Sequence, residues 1–239
     1  MSPPLHLAIS EKLRHQITNG EYQPGEQLPS EHQLIAEFGV SRTTIRRALA
    51  NLANQGLVTS HQGKGVFITE RQKVTYSLSS PLVFLEEDMA RQGIKFSTRN
   101  LMFKLVSAPE DVQKILRLTP ERPMAYLQKK ILEMNGVSGG VDITYILPHL
   151  GQAFAKDLKH QMTFPTLEQN GIPIERIEAI LECTHADYEI SQYLDVPLGY
   201  PLIVYRHTAY TKYNQPVVHG ASISRADRFC YSVTVQKPS

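Results

Sequence analysis

Arg42, Thr43, Arg46 and Arg47 crowd one short stretch of the chain. On a helix, Arg42 and Arg46 leave from one face, one turn apart, with Thr43 and Arg47 beside them. A guanidinium fork can grip O6 and N7 of a guanine together, and a threonine can touch a thymine methyl or a phosphate. Further on, Gln62-Gly63-Lys64-Gly65 sets a cation on a glycine-rich turn whose backbone can approach a groove closely. The chemistry these residues suit is contact with nucleic acid. No Asp or Glu occurs from Phe38 to Thr69, whereas Glu11, Glu21, Glu26, Glu31 and Glu37 precede that stretch. The formal net charge of +2 thus hides a locally cationic segment, as a small phosphate-facing surface requires.

These side chains need elements to aim them. Leu5, Ile9, Leu13 and Ile17 recur at helical spacing and predict a first helix, broken at Asn19-Gly20 and Pro24-Gly25. Ser30-Glu31-His32-Gln33 fits a capping box that opens a second helix with Leu34, Ile35 and Phe38 inward and Gly39 as its stop. A third helix follows after a very tight turn, N-capped by Ser41, with Ile45, Ala48, Leu49 and Leu52 inward and Gly56 ending it. Two helices joined so tightly, the second bearing outward Arg and Thr near its start, predict a helix-turn-helix. Leu57 to Thr59 and Val66 to Ile68 are β-prone and flank the glycine turn, so a hairpin wing is expected. Any single arginine here could be merely solvated; the ordered set of capped helix, short turn, Arg-Thr helix and basic hairpin argues against that reading of the whole.

The segment LPSEHQLIAEFGVSRTTIRRALANLANQGLVTSHQGKGVFI resembles the N-terminal domain of GntR-family regulators, with the likeness running over residues 5–69. The resemblance implies that Arg42, Thr43, Thr44 and Arg46 face the major groove, with the cap residues Ser30 and Ser41 at the same DNA-facing helix starts. It implies that Gln62, Gly63 and Lys64 reach the minor groove. Many relatives carry a DNA-touching arginine where this chain has His32, so that contact is weakened or made pH-sensitive.

Residues 71–80 are polar and aperiodic and read as a linker between domain 1–70 and domain 81–239, the alternative being a terminal strand of a neighbouring domain. Beyond it, helix signals at 82–92, 109–111, 164–169 and 186–194 alternate with strand signals at 101–106, 124–134, 141–147, 177–183, 202–211, 217–224 and 229–235. Asn135-Gly136 marks a hairpin, and the strand from Ile177 to Cys183 reads as half-buried from its alternation. Hairpins dominate, so an α+β domain with a mainly antiparallel sheet is expected.

This half resembles the effector-binding (UTRA) and dimerisation domain of the HutC subfamily of GntR regulators, whose fold is like chorismate lyase. FLEEDMARQG, VPLGYPLIVYRHTAY and SRADRF carry the likeness. By matched position the resemblance implies a ligand site from Glu86, Lys130, Tyr145, Thr163, Ser222 and Arg225, with Asp142 and His219 nearby. Each has a plainer role open to it: Glu86 as a helix cap, Lys130 solvated, Arg225 paired with Asp227. Several relatives bind phosphorylated sugars, but this chain departs from their pattern. It lacks hydroxyls at the helix start, where Glu86 takes an anion's place, has Leu132 and Val218 at positions often charged, and offers acids as well as bases. A polar, unphosphorylated effector is therefore expected, with a sugar phosphate as the alternative.

Other classes find little support. There is no Gly-x-Ser-x-Gly elbow, glycine-rich phosphate loop or HExxH, and the nine histidines lack metal-ligand spacing. No enzyme, metal or cofactor is expected. An architectural DNA protein would leave the second half unused. The two cysteines, Cys183 and Cys230, suit buried free thiols more than a disulfide. No signal peptide or apolar run long enough to span a membrane is seen. The sequence thus predicts a cytoplasmic homodimeric repressor that leaves a palindromic double-stranded DNA operator when a small-molecule effector binds.

Overall fold

The computed structural model describes residues 3–61, 63–69, 73–78 and 83–235. The chain divides into two compact units, residues 1–73 and 74–239.

The first unit packs helices α1 (Leu5–Thr18), α2 (Glu31–Phe38) and α3 (Arg42–Asn54) beside a hairpin of β1 (Val58–His61) and β2 (Gly65–Ile68). Of the α1 stripe, Ile9, Leu13 and Ile17 are buried, while Leu5 is exposed because it lies beyond the facing helices. They meet Leu34 of α2 and Ile45, Ala48, Leu49 and Leu52 of α3 in one core. Fully burying a leucine or isoleucine contributes about 1.5–3 kcal/mol, so this stripe, more than intrinsic propensity, holds the short helices. At the start of α2, the Gln33 amide N–H donates to Ser30 Oγ at 3.3 Å, and the Ser30 N–H donates to Gln33 Oε1 at 2.8 Å. Gly39 closes the helix with φ 65°, a left-handed turn that lets α3 begin three residues later.

The second unit is built on a six-stranded antiparallel sheet in the order β4 (Phe96–Ser107), β5 (Met124–Met134), β6 (Val137–Ile146), β9 (Pro216–Arg225), β8 (Pro201–Tyr210), β7 (Arg176–His185). Asn135 and Gly136, with φ 52° and 78°, turn β5 into β6, as the dipeptide requires. Helix α8 (Thr163–Gln169) and the segment before it cover one face, where Gln128 donates to the Leu158 carbonyl and accepts from Thr163 Oγ1. Helix α9 (Tyr188–Leu194) covers part of the other, through Val141, Ile190, Leu194 and Leu202. Helices α4 (Leu85–Arg91) and α5 (Glu110–Ile115) complete the elements expected from sequence.

Several expectations are corrected. Val74–Ser77, inside the expected linker, forms strand β3, which pairs in parallel with β10 (Phe229–Ser232). Its Val74 and Tyr76 are buried against Phe229, a long-range pairing that local polarity could not reveal. Residues 70–72 and 79–82 lie outside the described residues. The last strand therefore joins β3 instead of the main sheet. Two helices, α6 (Pro148–Ala153) and α7 (Ala155–Leu158), had not been expected. Strand β7 is not half-buried: of its ten residues only Ile177 is even partly covered, because the strand is the sheet's edge. Both cysteines are free thiols, but Cys183 rides on β7 and is exposed.

Candidate DNA interface and ligand cleft

The recognition face is built at the start of α3. The Thr44 amide donates to Ser41 Oγ at 3.2 Å, and the Ser41 and Thr44 hydroxyls lie 2.9 Å apart. Ser30 and Ser41 thus spend their side chains largely as caps, which fixes both helix starts. Thr43, Arg46 and Arg47 are exposed, as is His32 on α2. Arg42 is exposed too, but its Nε donates to Glu31 at 2.8 Å, which steers a mobile guanidinium before any DNA arrives. An exposed pair of this kind is worth at most about 1 kcal/mol, so a phosphate or base can displace it. At the wing, Gly63 and Lys64 are exposed, while Gln62 lies outside the described residues. The Gln27 side chain donates to the Lys64 carbonyl at 2.8 Å and holds the wing turn. Neither Gln27 nor Glu31 had been singled out; both act on a DNA-facing residue through tertiary contacts with no sequence spacing of their own.

The second unit contains a narrow cleft over one sheet face, with a cavity of about 40 Å³. Its floor carries Asp142 and Thr144 of β6, Ser222 and Ser224 of β9 and His207 of β8, with Glu86 and Thr163 entering from α4 and α8. Ser222 Oγ donates to Asp142 at 2.6 Å. Lys130 is fully buried beneath, its ammonium donating to the Gln161 carbonyl. Burial pushes the Lys130 pKa down to about 8, against the pull of Asp142 and Glu86. Burial raises the Glu86 carboxyl, with the Lys130 charge and the Met162 N–H opposing it. Burial lowers His207, which keeps that ring neutral despite nearby Asp142. Aromatic walls enclose the floor: Tyr205 stacks on His207 at 5.2 Å and on Tyr231 at 5.3 Å, and Phe164 meets His207 edge-on at 5.3 Å.

The structure therefore brings Glu86, Lys130, Asp142, Thr163 and Ser222 together. Three other expected residues lie elsewhere. Tyr145 and His219 point from the opposite sheet face into a wider, more open groove with Asp111, Glu182 and Arg206. There His219 Nδ1 lies 2.9 Å from Thr208 Oγ1, and burial lowers its pKa. Arg225 is committed to Asp227, with Nη2–Oδ2 at 2.8 Å. Burial would raise Asp227, but the Arg225 bond and charge outweigh it and hold the carboxyl low. Tyr205, His207, Thr144, Ser224 and Tyr231 were missed. Strand parity could have found two of them, since Thr144 and Ser224 lie two residues from Asp142 and Ser222; Tyr205 and His207 share a face of β8, where no candidate had been named.

Among the described residues no three His, Cys, Asp or Glu side chains converge as metal ligands, and no helix is long and apolar enough to cross a membrane.

Comparison with known proteins then gives two family matches. The model of bacterial regulatory proteins of the gntR family matches residues 5–68, and that of the UTRA domain matches residues 91–230. The chain is 29% identical to the HTH-type transcriptional repressor NagR of Bacillus subtilis, over 95% of this chain and 93% of the relative. It is 25% identical to the histidine utilization repressor of Pseudomonas putida, over 94% of this chain and 89% of that one. Its fold matches the crystal structure of PhnF from Mycobacterium smegmatis with a TM-score of 0.66 and 18% identity, covering 96% of this chain and 99% of the other. That last likeness speaks for the fold alone.

Proposed function

The chain belongs to the GntR family of bacterial regulatory proteins and carries a UTRA domain, and from this premise we propose that it represses transcription until a small molecule in the second-unit cleft releases it from its operator. It is a DNA-binding transcriptional regulator, not an enzyme. The observation that carries the proposal is the capped, exposed face of α3, with Thr43, Arg46 and Arg47 free to meet a major groove and Arg42 held by one exposed carboxylate. Repression is supported by the names of NagR and the histidine utilization repressor.

In this reading the regulator works in the cytoplasm as a homodimer. Each recognition helix enters one half of a palindrome, with half-sites about 34 Å apart or a multiple of that. Pairing through the second units is supported by β7, an edge strand whose Ile180 and Leu181 are 62% and 49% exposed. Unpaired edges with apolar side chains are normally covered or blunted, and a second copy would cover this one. Effector binding shifts the dimer towards a state that cannot set both helices on DNA; the ligand must bind that released state more tightly, or nothing shifts.

The effector is a polar metabolite without phosphate. Among the described residues no arginine or lysine lines the cleft, Arg225 is tied to Asp227, and Lys130, buried behind the lining, already serves the Gln161 carbonyl. A sugar phosphate, the rival class, would set its charge against Glu86 and Asp142. Selection of binding sites from random duplex DNA, repeated with a metabolite extract, tests the whole. A palindrome that is enriched, then lost on adding the extract, supports the switch. No enriched sequence would overturn the DNA reading, and an operator released by micromolar phosphate esters would overturn the effector class.

A further inference from the structure

We propose that the cleft selects an organic cation: a ligand whose protonated nitrogen docks on the Asp142 carboxylate and whose flat or apolar body lies against Tyr205 and Phe164. The inference rests on the cleft being the effector site and narrows the class of effector.

Asp142 is 3% exposed and lines the cleft. Its two protein donors are neutral hydroxyls, Ser222 at 2.6 Å and Thr144 at 3.4 Å. Among the described residues it forms no salt bridge, whereas the equally buried Asp227 holds Arg225 at 2.8 Å. An ionised carboxylate accepts up to about four hydrogen bonds, so Asp142 has acceptor positions left over. A buried charge needs a partner of opposite sign as well as hydrogen bonds; hydroxyls supply only the second, and the nearby cation, Lys130, is shared with Glu86 and donates to the Gln161 carbonyl.

The charge count at the site points the same way. Glu86 and Asp142 are two acids; Lys130 is one cation; His207 is neutral because of its burial. Two acids against one cation favour an added ammonium over an added phosphate. The walls agree. Tyr205, whose faces stack on His207 and Tyr231, and Phe164, edge-on to His207, line the same cleft as Asp142 and give it apolar walls for the body of a ligand. Apolar walls around one carboxylate give an ammonium strong discrimination over a neutral analogue of the same shape, because the analogue leaves the buried charge uncompensated.

Three size-matched probes decide the matter: benzylamine, benzyl alcohol and benzyl phosphate, titrated calorimetrically into the full chain at neutral pH. The expected result is benzylamine binding at least tenfold more tightly than either other probe. In Asp142→Asn that preference disappears. A cooperative thermal melt shows the Asn variant to be folded, and Asp142→Glu, which restores the carboxylate, restores the preference. Equal or tighter binding of the alcohol or the phosphate overturns the proposal. So does an amine preference that survives in a folded Asp142→Asn, or failure of all three probes to bind. The switch is read separately, by DNA anisotropy. Benzylamine that binds through Asp142 without loosening DNA removes the switch but leaves the ligand class standing; DNA released by the phosphate alone does the reverse.

Discussion

At the scale of single residues, the two cations offered to DNA have different tasks. Arg46 sits on the rigid, capped face of α3, where a bidentate contact to one base is geometrically possible. Arg46→Ala is expected to weaken binding by about 1–3 kcal/mol per half-site and to relax preference at one base pair. Lys64 sits on the wing turn and meets backbone charge, so Lys64→Ala should weaken all sequences alike and flatten the salt dependence. Anisotropy titrations over a set of operator variants at several salt concentrations separate the two; a sequence-selective loss at Lys64 would contradict its assignment. In the cleft, the raised pKa of Glu86 makes a second prediction. Between its ordinary value of 4.5 and its higher folded value, the folded chain holds more protons than the unfolded one. Stability therefore falls as pH rises through that window. Glu86→Gln cannot titrate there, so its urea midpoint should gain on the wild type from pH 4 upward. A gap moving the other way would mean that Lys130 overcomes burial and holds Glu86 ionised. The cleft residues also show what the sequence makes legible. Matched position named Glu86, Lys130, Asp142, Thr163 and Ser222, which lie together in the structure, but Tyr145 and His219 lie an odd number of residues from Asp142 and Ser222. Side chains alternate across a sheet, so those two must face the other way once the strands are known.

At the scale of elements, the wing depends on a residue far from it in sequence. The Gln27 side chain donates to the Lys64 carbonyl at 2.8 Å, and Gln27 also bridges to Phe67 of β2. Gln27→Ala removes the side-chain bond and keeps the backbone bridge. We expect stability to fall by about 1 kcal/mol and DNA affinity to fall without loss of base preference, because the wing loosens while α3 stays capped. A changed base preference in the selected sites would show that Gln27 acts on the recognition helix instead. Local signals served the first unit well. Ser30 with Gln33, Gly39 and Ser41 each state a helix boundary in a few adjacent residues, and the structure places caps and stops there. Asn135-Gly136 did the same for the β5–β6 hairpin. What stayed hidden was non-local. Strand β3 exists because Val74 and Tyr76 meet Phe229 and Tyr231 across the whole second unit. Helix α6 did leave a trace, Pro148 at its first turn, which fits a helix start as readily as a loop.

At the scale of the whole molecule, alternation in β7 suggested a buried face that the single chain does not possess. Ile177, Ala179, Leu181 and Cys183 mostly alternate with charged residues, Ile180 excepted, as though something packed on them, yet β7 bonds only to β8. A pattern of burial without a partner inside the chain is what a subunit contact leaves in a sequence, and it sets the last prediction. Leu181 lies on that face and is 49% exposed, so Leu181→Lys should leave the thermal stability of the unit within about 0.5 kcal/mol. If β7 joins two copies, a buried lysine at that contact should shift sedimentation from dimer to monomer. Two tethered heads bind a palindrome with an effective local concentration that separate heads lack, and the gain is about 10²–10⁴. The variant should lose a factor of that order on the full operator while binding a single half-site like the wild type. A variant that remains dimeric with full operator affinity would place the pairing surface away from β7. Equal losses on half-site and operator would mean instead that the substitution had damaged the DNA-binding unit, which Leu181, more than a hundred residues beyond α3 and in the other unit, gives no reason to expect.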